Sequence, residues 1–273
     1  MSRFAKRVER IPRSNIADLR EKIKRWKEEK KNVINLVSGD IDPKLRIPYL
    51  KGAASESAFY DDHTYTLASG DLQLRNVILD NIFRREGIKI NTNEIVITNG
   101  GINGLKLTAE IFMDLVDNAI VPKPFWSPAR DHYQEFGMVK EIDLDKDFDL
   151  DVDAITKSID FDTKLIFINN PNNPTGKIYS KDRVRELQNI AKKKNVRIVY
   201  DEAYRDVVFK SGDLFPSLEE ELDNGNIVVR SLSKTHCITG WRVGYVVCKD
   251  KEYMQHLDNL LLHTSSGVST LSQ

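Results

Sequence analysis

Lys234 lies in the run Ser231-Leu232-Ser233-Lys234-Thr235-His236-Cys237, which follows the apolar triplet Ile227-Val228-Val229 after one intervening residue, and Arg242 follows at the start of a second apolar run. A lysine whose amine is kept neutral by its surroundings is a nucleophile toward carbonyl carbon. An arginine fork beside hydroxyls such as those of Ser231 and Ser233 suits a phosphate. Together these groups could hold a phosphorylated aldehyde as a Schiff base. Three other polar clusters also end apolar runs. Ile198-Val199-Tyr200 leads into Asp201-Glu202-Ala203-Tyr204, and Phe167-Ile168 leads into Asn169-Asn170-Pro171-Asn172-Asn173-Pro174-Thr175-Gly176. Ile95-Val96-Ile97 leads into Thr98-Asn99-Gly100-Gly101, where a helix begins and free backbone N–H groups meet a positive helix end suited to an anion. Each cluster alone has an ordinary reading: a solvated strand-end lysine, an aspartate in a turn or helix cap, an Asn-Pro turn. Their recurrence at successive strand ends favours one shared site.

The elements that position these residues follow from hydrophobic periodicity. Strands are expected at Ile95–Thr98, Ala119–Val121, Val139–Ile142, Lys164–Ile168, Arg197–Tyr200, Ile227–Val229 and Val243–Val247. Helices fit between most of them, at Gly104–Leu115, Ser127–Phe136, Val152–Ser158 and Lys181–Lys194, and Leu257–His263 reads as part of another. Strands alternating with helices call for an α/β fold, a three-layer αβα arrangement around a mostly parallel seven-stranded sheet. In such sheets the binding crevice lies outside the carboxyl ends of the strands. Upstream, Ser14 is a candidate cap for a charged helix reaching about Lys30, with Leu19, Ile23 and Trp26 on one face. Val33–Val37 reads as a short strand entering Ser38-Gly39-Asp40. A loop-rich stretch with Pro43, Pro48, Phe59 and Tyr60 follows, then a helix over Asp71–Glu86.

Composition narrows the function classes. The 273 residues carry 41 basic and 41 acidic side chains, so no electrostatic footprint for nucleic acid or an anionic membrane is present. No apolar stretch approaches the ~20 residues needed to span a bilayer. The basic segment from Met1 to Arg10 lacks the apolar core of a secretory signal. Cys237 and Cys248 are too few for a disulfide framework and give no metal spacing. A cytoplasmic setting is the expectation. His63, His132 and His236 have no ligand spacing and read as surface or loop residues, and Lys192-Lys193-Lys194 reads as a solvated helix end that suits the helix dipole.

Asn172-Asn173-Pro174-Thr175-Gly176, Asp201-Glu202-Ala203-Tyr204 and Ser231-x-Ser233-Lys234 with Gly240-Trp241-Arg242-x-Gly244 resemble the class I/II aminotransferases, of the fold-type I pyridoxal-phosphate enzymes. The resemblance runs from about Val33 to the last residue. It implies that pyridoxal 5′-phosphate is held covalently by Lys234, which then shuttles the proton between substrate and cofactor. It implies that Asp201 pairs with the pyridine nitrogen, that Tyr204 and Asn173 donate to the ring oxygen, and that Arg242, Ser231 and the N–H groups of Gly101 and Ile102 hold the phosphate. Trp126 matches the aromatic that stacks on the ring, with Phe125 as the neighbouring alternative. Tyr65, in Tyr65-x4-Gly70-x3-Leu74-Arg75, matches a tyrosine that crosses from the second subunit of a homodimer, and Gly39 matches a glycine beside the substrate.

The implied organisation is an N-terminal small-domain segment over 1–46 and a cofactor-binding large domain over 47–273. Family members continue into a C-terminal lobe that carries the arginine for the substrate's α-carboxylate, and no residue here matches that arginine by motif. The chain is expected to be either a fragment or a shortened product, able to bind the cofactor as a dimer and to transaminate weakly. The expected activity is exchange of an amino group between an amino acid and a 2-oxo acid. A carbon–sulfur β-lyase of the same fold, a truncated inactive cofactor-binding protein and a cofactor-sensing regulator are the alternatives. Ile102 offers no charge to a side-chain carboxylate, which argues against strict aspartate specificity.

Overall fold

Among the described residues, runs of branched apolar residues between turn residues form seven strands: β1 (Ile95–Asn99), β2 (Asn118–Lys123), β3 (Met138–Asp143), β4 (Thr163–Asn169), β5 (Arg197–Asp201), β6 (Ile227–Ser231) and β7 (Val243–Val247). They make one sheet in the order β1-β7-β6-β5-β4-β2-β3. All are parallel except β7, which runs antiparallel to both β1 and β6. This computed structural model describes every residue except 1–3, 13–14, 38, 40–46, 61–63, 85–86, 208, 210–221 and 223–224.

The helices are α1 (Lys6–Glu9), α2 (Asn15–Glu28), α3 (Pro48–Tyr60), α4 (Leu72–Ile78), α5 (Gly101–Phe112), α6 (Ser127–Phe136), α7 (Val152–Ser158), α8 (Lys181–Lys194), α9 (Leu232–Thr235) and α10 (Lys251–Ser265). Successive strand residues point to opposite faces, so the sheet has two apolar sides. Ile95, Ile97, Ile166, Ile168, Ile198, Tyr200, Val228 and Tyr245 pack with α4, α7 and α8. Val96, Leu165, Phe167, Val199, Ile227, Val229 and Val246 pack with α5, α6 and α10. The expected three-layer αβα architecture is present, and α6, α7 and α8 have the expected bounds.

The N-terminal third departs from expectation. Val33–Val37 forms no strand, because no neighbouring strand among the described residues satisfies its backbone; Ile34 and Leu36 are largely exposed. The stretch expected to be loop from Pro48 is helix α3; Pro48 serves as its first residue, where a missing N–H costs nothing. The helix expected over Asp71–Glu86 is α4 followed by a π-helical turn, Leu79–Phe83. Asp71 caps it, accepting from the Leu74 N–H at 2.8 Å. Helix α5 starts at Gly101 rather than Gly104, and α10 extends well beyond Leu257–His263 at its N-terminal end, where Asp250 caps it. Ser14, Pro43 and His63 lie outside the described residues. On α2, Ile23 is buried while Leu19 and Trp26 are more than a third exposed.

Candidate functional site

The register aligns the polar strand ends in adjacent rows. Asn169 pairs with Asp201, Asp201 with Val229, and Ser231 with Gly244, which also faces Thr98. Because β7 is antiparallel, it begins at the edge where β6 and β1 finish. That reversal brings Arg242, just before β7, to the same end of the sheet as Asp201 and Ser231.

Asp201 is 5 % exposed, and one carboxylate oxygen accepts the Ala203 N–H at 3.0 Å. It has no ion pair among the described residues. Burial raises its pKa to about 6 against the help of the Ala203 N–H, and the charge of Glu202 adds to the rise. Its backbone oxygen accepts the Asn170 N–H and the Asn169 side-chain amide. The Asn169 amide oxygen in turn accepts the Asn173 N–H at 2.6 Å, and the Asn173 amide donates to the Tyr204 hydroxyl at 3.3 Å. Burial and the Asp201 charge hold the Tyr204 hydroxyl above its ordinary pKa, opposed by the Asn173 contact. Asn169 and Asn172 were not assigned a role from the sequence, although Asn169 ends β4 and Asn172 stands in the polar run that follows it. Asn172 is buried and donates to the Tyr179 hydroxyl at 2.9 Å.

Lys234 sits on the single helical turn α9, whose N-cap is Ser231; the Ser231 hydroxyl accepts the Ser233 N–H at 3.1 Å. The Lys234 ammonium nitrogen lies 5.8 Å from the centroid of the Tyr204 ring and donates to the Gly39 carbonyl at 2.5 Å. A Cβ on Gly39 would come within 2.9 Å of that nitrogen. The structure thus brings Lys234, Tyr204, Asn173 and Gly39 together.

A second group faces the start of α5. Gly100, at φ +75°, caps that helix, and the N–H groups of Gly101 and Ile102 open it without intrahelical acceptors. A Cβ on Gly100 would lie 2.5 Å from an Arg242 guanidinium nitrogen, and one on Gly101 would touch the Ser231 side chain at 3.5 Å. Arg242 donates to the Thr239 carbonyl at 2.7 Å and, at 3.5 Å, to that of Asn99. Two N–H groups, a hydroxyl and a guanidinium therefore surround the Gly100-Gly101 turn. Such a set of donors suits an anion.

Trp126 is half-buried at the N-cap of α6, and Phe125 precedes it with the Arg130 guanidinium 5.6 Å from its ring centroid. Tyr65 is 88 % exposed. His132 departs from the expectation of a surface or loop residue: it is half-buried on α6, where burial and the nearby Lys106 lower its pKa. His236 stands in the turn after α9, half-buried beside the Thr235 hydroxyl at 2.7 Å. No group of His, Cys, Asp and Glu suited to a metal occurs among the described residues.

The features fit a phosphorylated pyridine aldehyde. A buried carboxylate without a cation among the described residues suits a protonated ring nitrogen, the Gly100-Gly101 turn suits a phosphate, and a lysine stands beside the Tyr204 ring. The chain matches the family described as Aminotransferase class I and II over residues 31–273. It is 27% identical to an aspartate aminotransferase of Bacillus sp. (strain YM-2), covering 99% of this chain and 70% of that one. It is 31% identical to an aspartate aminotransferase of Pyrococcus horikoshii, covering 99% and 68%. The crystal structure of the aspartate aminotransferase of Thermotoga maritima superposes with a TM-score of 0.91 at 27% identity, covering 98% of this chain and 72% of that one.

Proposed function

This chain belongs to the class I and II aminotransferases, and we propose that the residues at the carboxyl end of its sheet form the working half of a transaminase site. The family's cofactor is pyridoxal 5′-phosphate. When bound, that group supplies an electron sink that stabilises negative charge on the carbon bearing the amine. Lys234 would hold it covalently, Asp201 would face its ring nitrogen, and Arg242, Ser231 and the N–H groups of Gly101 and Ile102 would take its phosphate. Trp126 is the ring-stacking residue in this reading, since Arg130 occupies a face of Phe125.

The protein's own groups do the rest. Asp201 stays ionised opposite a cation, because an opposite charge favours the carboxylate that burial alone disfavours. Tyr204, steadied by Asn173, presents a hydroxyl next to Lys234. Once the substrate's amine has displaced it, the freed Lys234 amine would be the base placed to take and hold the proton of the substrate's α-carbon, and Tyr204 and Gly39 set where its nitrogen can go. Exchange of an amino group between an amino acid and a 2-oxo acid follows, in two half-reactions.

The single observation carrying this reading is the buried Asp201 carboxylate, without an ion pair among the described residues, on a residue whose backbone oxygen is linked through Asn169 and Asn173 to the Tyr204 hydroxyl beside Lys234. Borohydride reduction of the protein with pyridoxal phosphate, followed by peptide mapping, tests it. A label on Lys234 is expected; a label elsewhere, or none, would refute it. Since several relatives are named for aspartate, aspartate is the first amino donor to assay. The chain spans about seven tenths of the length of these relatives. We further propose a small-domain segment over 1–46, a cofactor domain over 47–273, and a cytoplasmic homodimer in which exposed Tyr65 reaches the crevice of a second copy. Loss of cofactor affinity in Tyr65→Phe with the dimer intact, measured by sedimentation and cofactor titration, is the expected result. No helix among the described residues is long and apolar enough to cross a membrane.

A further inference from the structure

On the opposite face of the sheet from Asp201 lies a buried ion cluster with no counterpart in the chemistry above. The Arg230 guanidinium donates to Glu202 at 2.7 Å and Arg205 donates to the same carboxylate oxygen at 3.4 Å. The side chains of Glu202 and Arg230 are only 4% and 5% exposed. Glu202 immediately follows Asp201, and Arg230 immediately precedes Ser231. Strand alternation sends Glu202 and Arg230 to the side of Tyr200 and Val228, while Asp201 and Ser231 point to the side of Val199 and Val229. The Glu202 N–H also donates to the Val229 carbonyl at 2.9 Å, so backbone and side chain join the same two strands.

Arg230 is held from beneath as well. Its guanidinium lies 4.8 Å from the centroid of Phe83, the last residue of the π-helical turn after α4. Phe83 meets Tyr245 edge-on at 6.3 Å, and Tyr245 is the residue opposite Arg230 in β7. Well-packed apolar residues often stabilise a core as well as a buried ion cluster does. Charge-assisted hydrogen bonds from a planar fork supply a defined direction and spacing, which apolar contact does not.

We propose that Glu202, Arg230 and Arg205 are positioning residues, a clamp that fixes the separation between Asp201 and the Ser231–Lys234 turn and so matches the two ends of the site to one rigid ligand. The inference rests on the cofactor reading above. The clamp touches no ligand; it acts through the backbone of the residue next to each binding group. Groups that orient ligand-binding residues in this way change affinity on the order of 10- to 100-fold when removed.

The test compares the parent protein with the triple variant Glu202→Leu, Arg205→Leu, Arg230→Met and with Arg230→Lys. The equilibrium Kd for pyridoxal phosphate is read by absorbance titration, and urea unfolding is measured without cofactor. The triple variant should keep the parent's urea midpoint and bind the cofactor on the order of tenfold or more weakly. Arg230→Lys keeps the charge and loses the fork; it too should bind more weakly while staying folded, so the test stands even where the triple variant fails to fold. A folded variant of either kind with the parent's Kd overturns the clamp while leaving the functional reading intact. An unsubstituted protein that takes no cofactor at Lys234 overturns the functional reading, and the clamp with it.

Discussion

Asp201→Asn should stabilise the cofactor-free protein at neutral pH, although it removes a residue assigned to the site. The carboxylate is buried and has no cationic partner among the described residues, and its pKa rises from 3.8 to about 6 on folding. Well below pH 3.8 it is protonated in both states and contributes no penalty, and at pH 4 most of the penalty is already absent. As pH rises from 4 through 6, the unfolded chain releases the proton first, so folding stability falls; above that window both states are ionised and the loss is constant. A tenfold difference in proton affinity is worth about 1.4 kcal/mol. The gap from 3.8 to about 6 therefore corresponds to about 3 kcal/mol at pH 8. Asparagine has the same shape, keeps an oxygen for the Ala203 N–H and carries no charge to desolvate. Urea unfolding of both cofactor-free proteins at pH 4 and pH 8 reads the difference directly. The variant should gain stability at pH 8 and lose most of that advantage at pH 4, while pyridoxal phosphate should stabilise the parent far more than the variant. An asparagine variant no more stable than the parent at pH 8, or an advantage independent of pH, would show that Asp201 is not a desolvated, unpaired carboxylate.

Three other substitutions probe separate parts of the argument. Gly244→Ala places a Cβ 2.5 Å from the Gly101 nitrogen and 2.8 Å from the Arg230 carbonyl, both backbone. Overpacking against backbone should cost about 1–3 kcal/mol in urea unfolding, and an unchanged midpoint would contradict the close approach of β7 to the β1–α5 turn. Tyr133→Phe removes a hydroxyl that is buried without a hydrogen-bond partner among the described residues. It should raise stability by about 1 kcal/mol, whereas a loss would reveal a partner for that oxygen. Arg242→Met removes the guanidinium beside the Gly100-Gly101 turn and should weaken pyridoxal phosphate by about 1.5–3 kcal/mol, the worth of hydrogen bonds to a charged group. Binding of pyridoxal, which has no phosphate, should change little; an equal loss for both ligands would place Arg242 elsewhere in function.

The sheet was legible because its strands are short, branched and bounded by polar turns, and burial on both faces leaves little room for another period. Lys234, Asp201, Tyr204, Asn173 and Arg242 could be singled out because each follows or precedes such a strand. Val33–Val37 has the composition of a strand and still forms none, since a strand is completed by its neighbour's backbone and not by its own residues. The stretch after Pro48 shows the converse, because proline marks a helix start as readily as a loop. Glu202 and Arg230 could not be paired from the sequence: they are 28 positions apart and meet only through the parallel pairing of β5 and β6.

From Ile95 onward the sequence by itself determined the element types and which residues stand at strand ends, because periodicity and turn chemistry act over a few residues. The tertiary structure alone decided that β7 runs backwards, which delivers Arg242 to the edge that carries Asp201 and Ser231. It also decided that Asp201 is buried with no ion pair among the described residues, while its neighbour Glu202 is locked to arginines on the other side of the sheet. Strand direction and desolvation depend on what packs alongside, and no local window of residues contains that information.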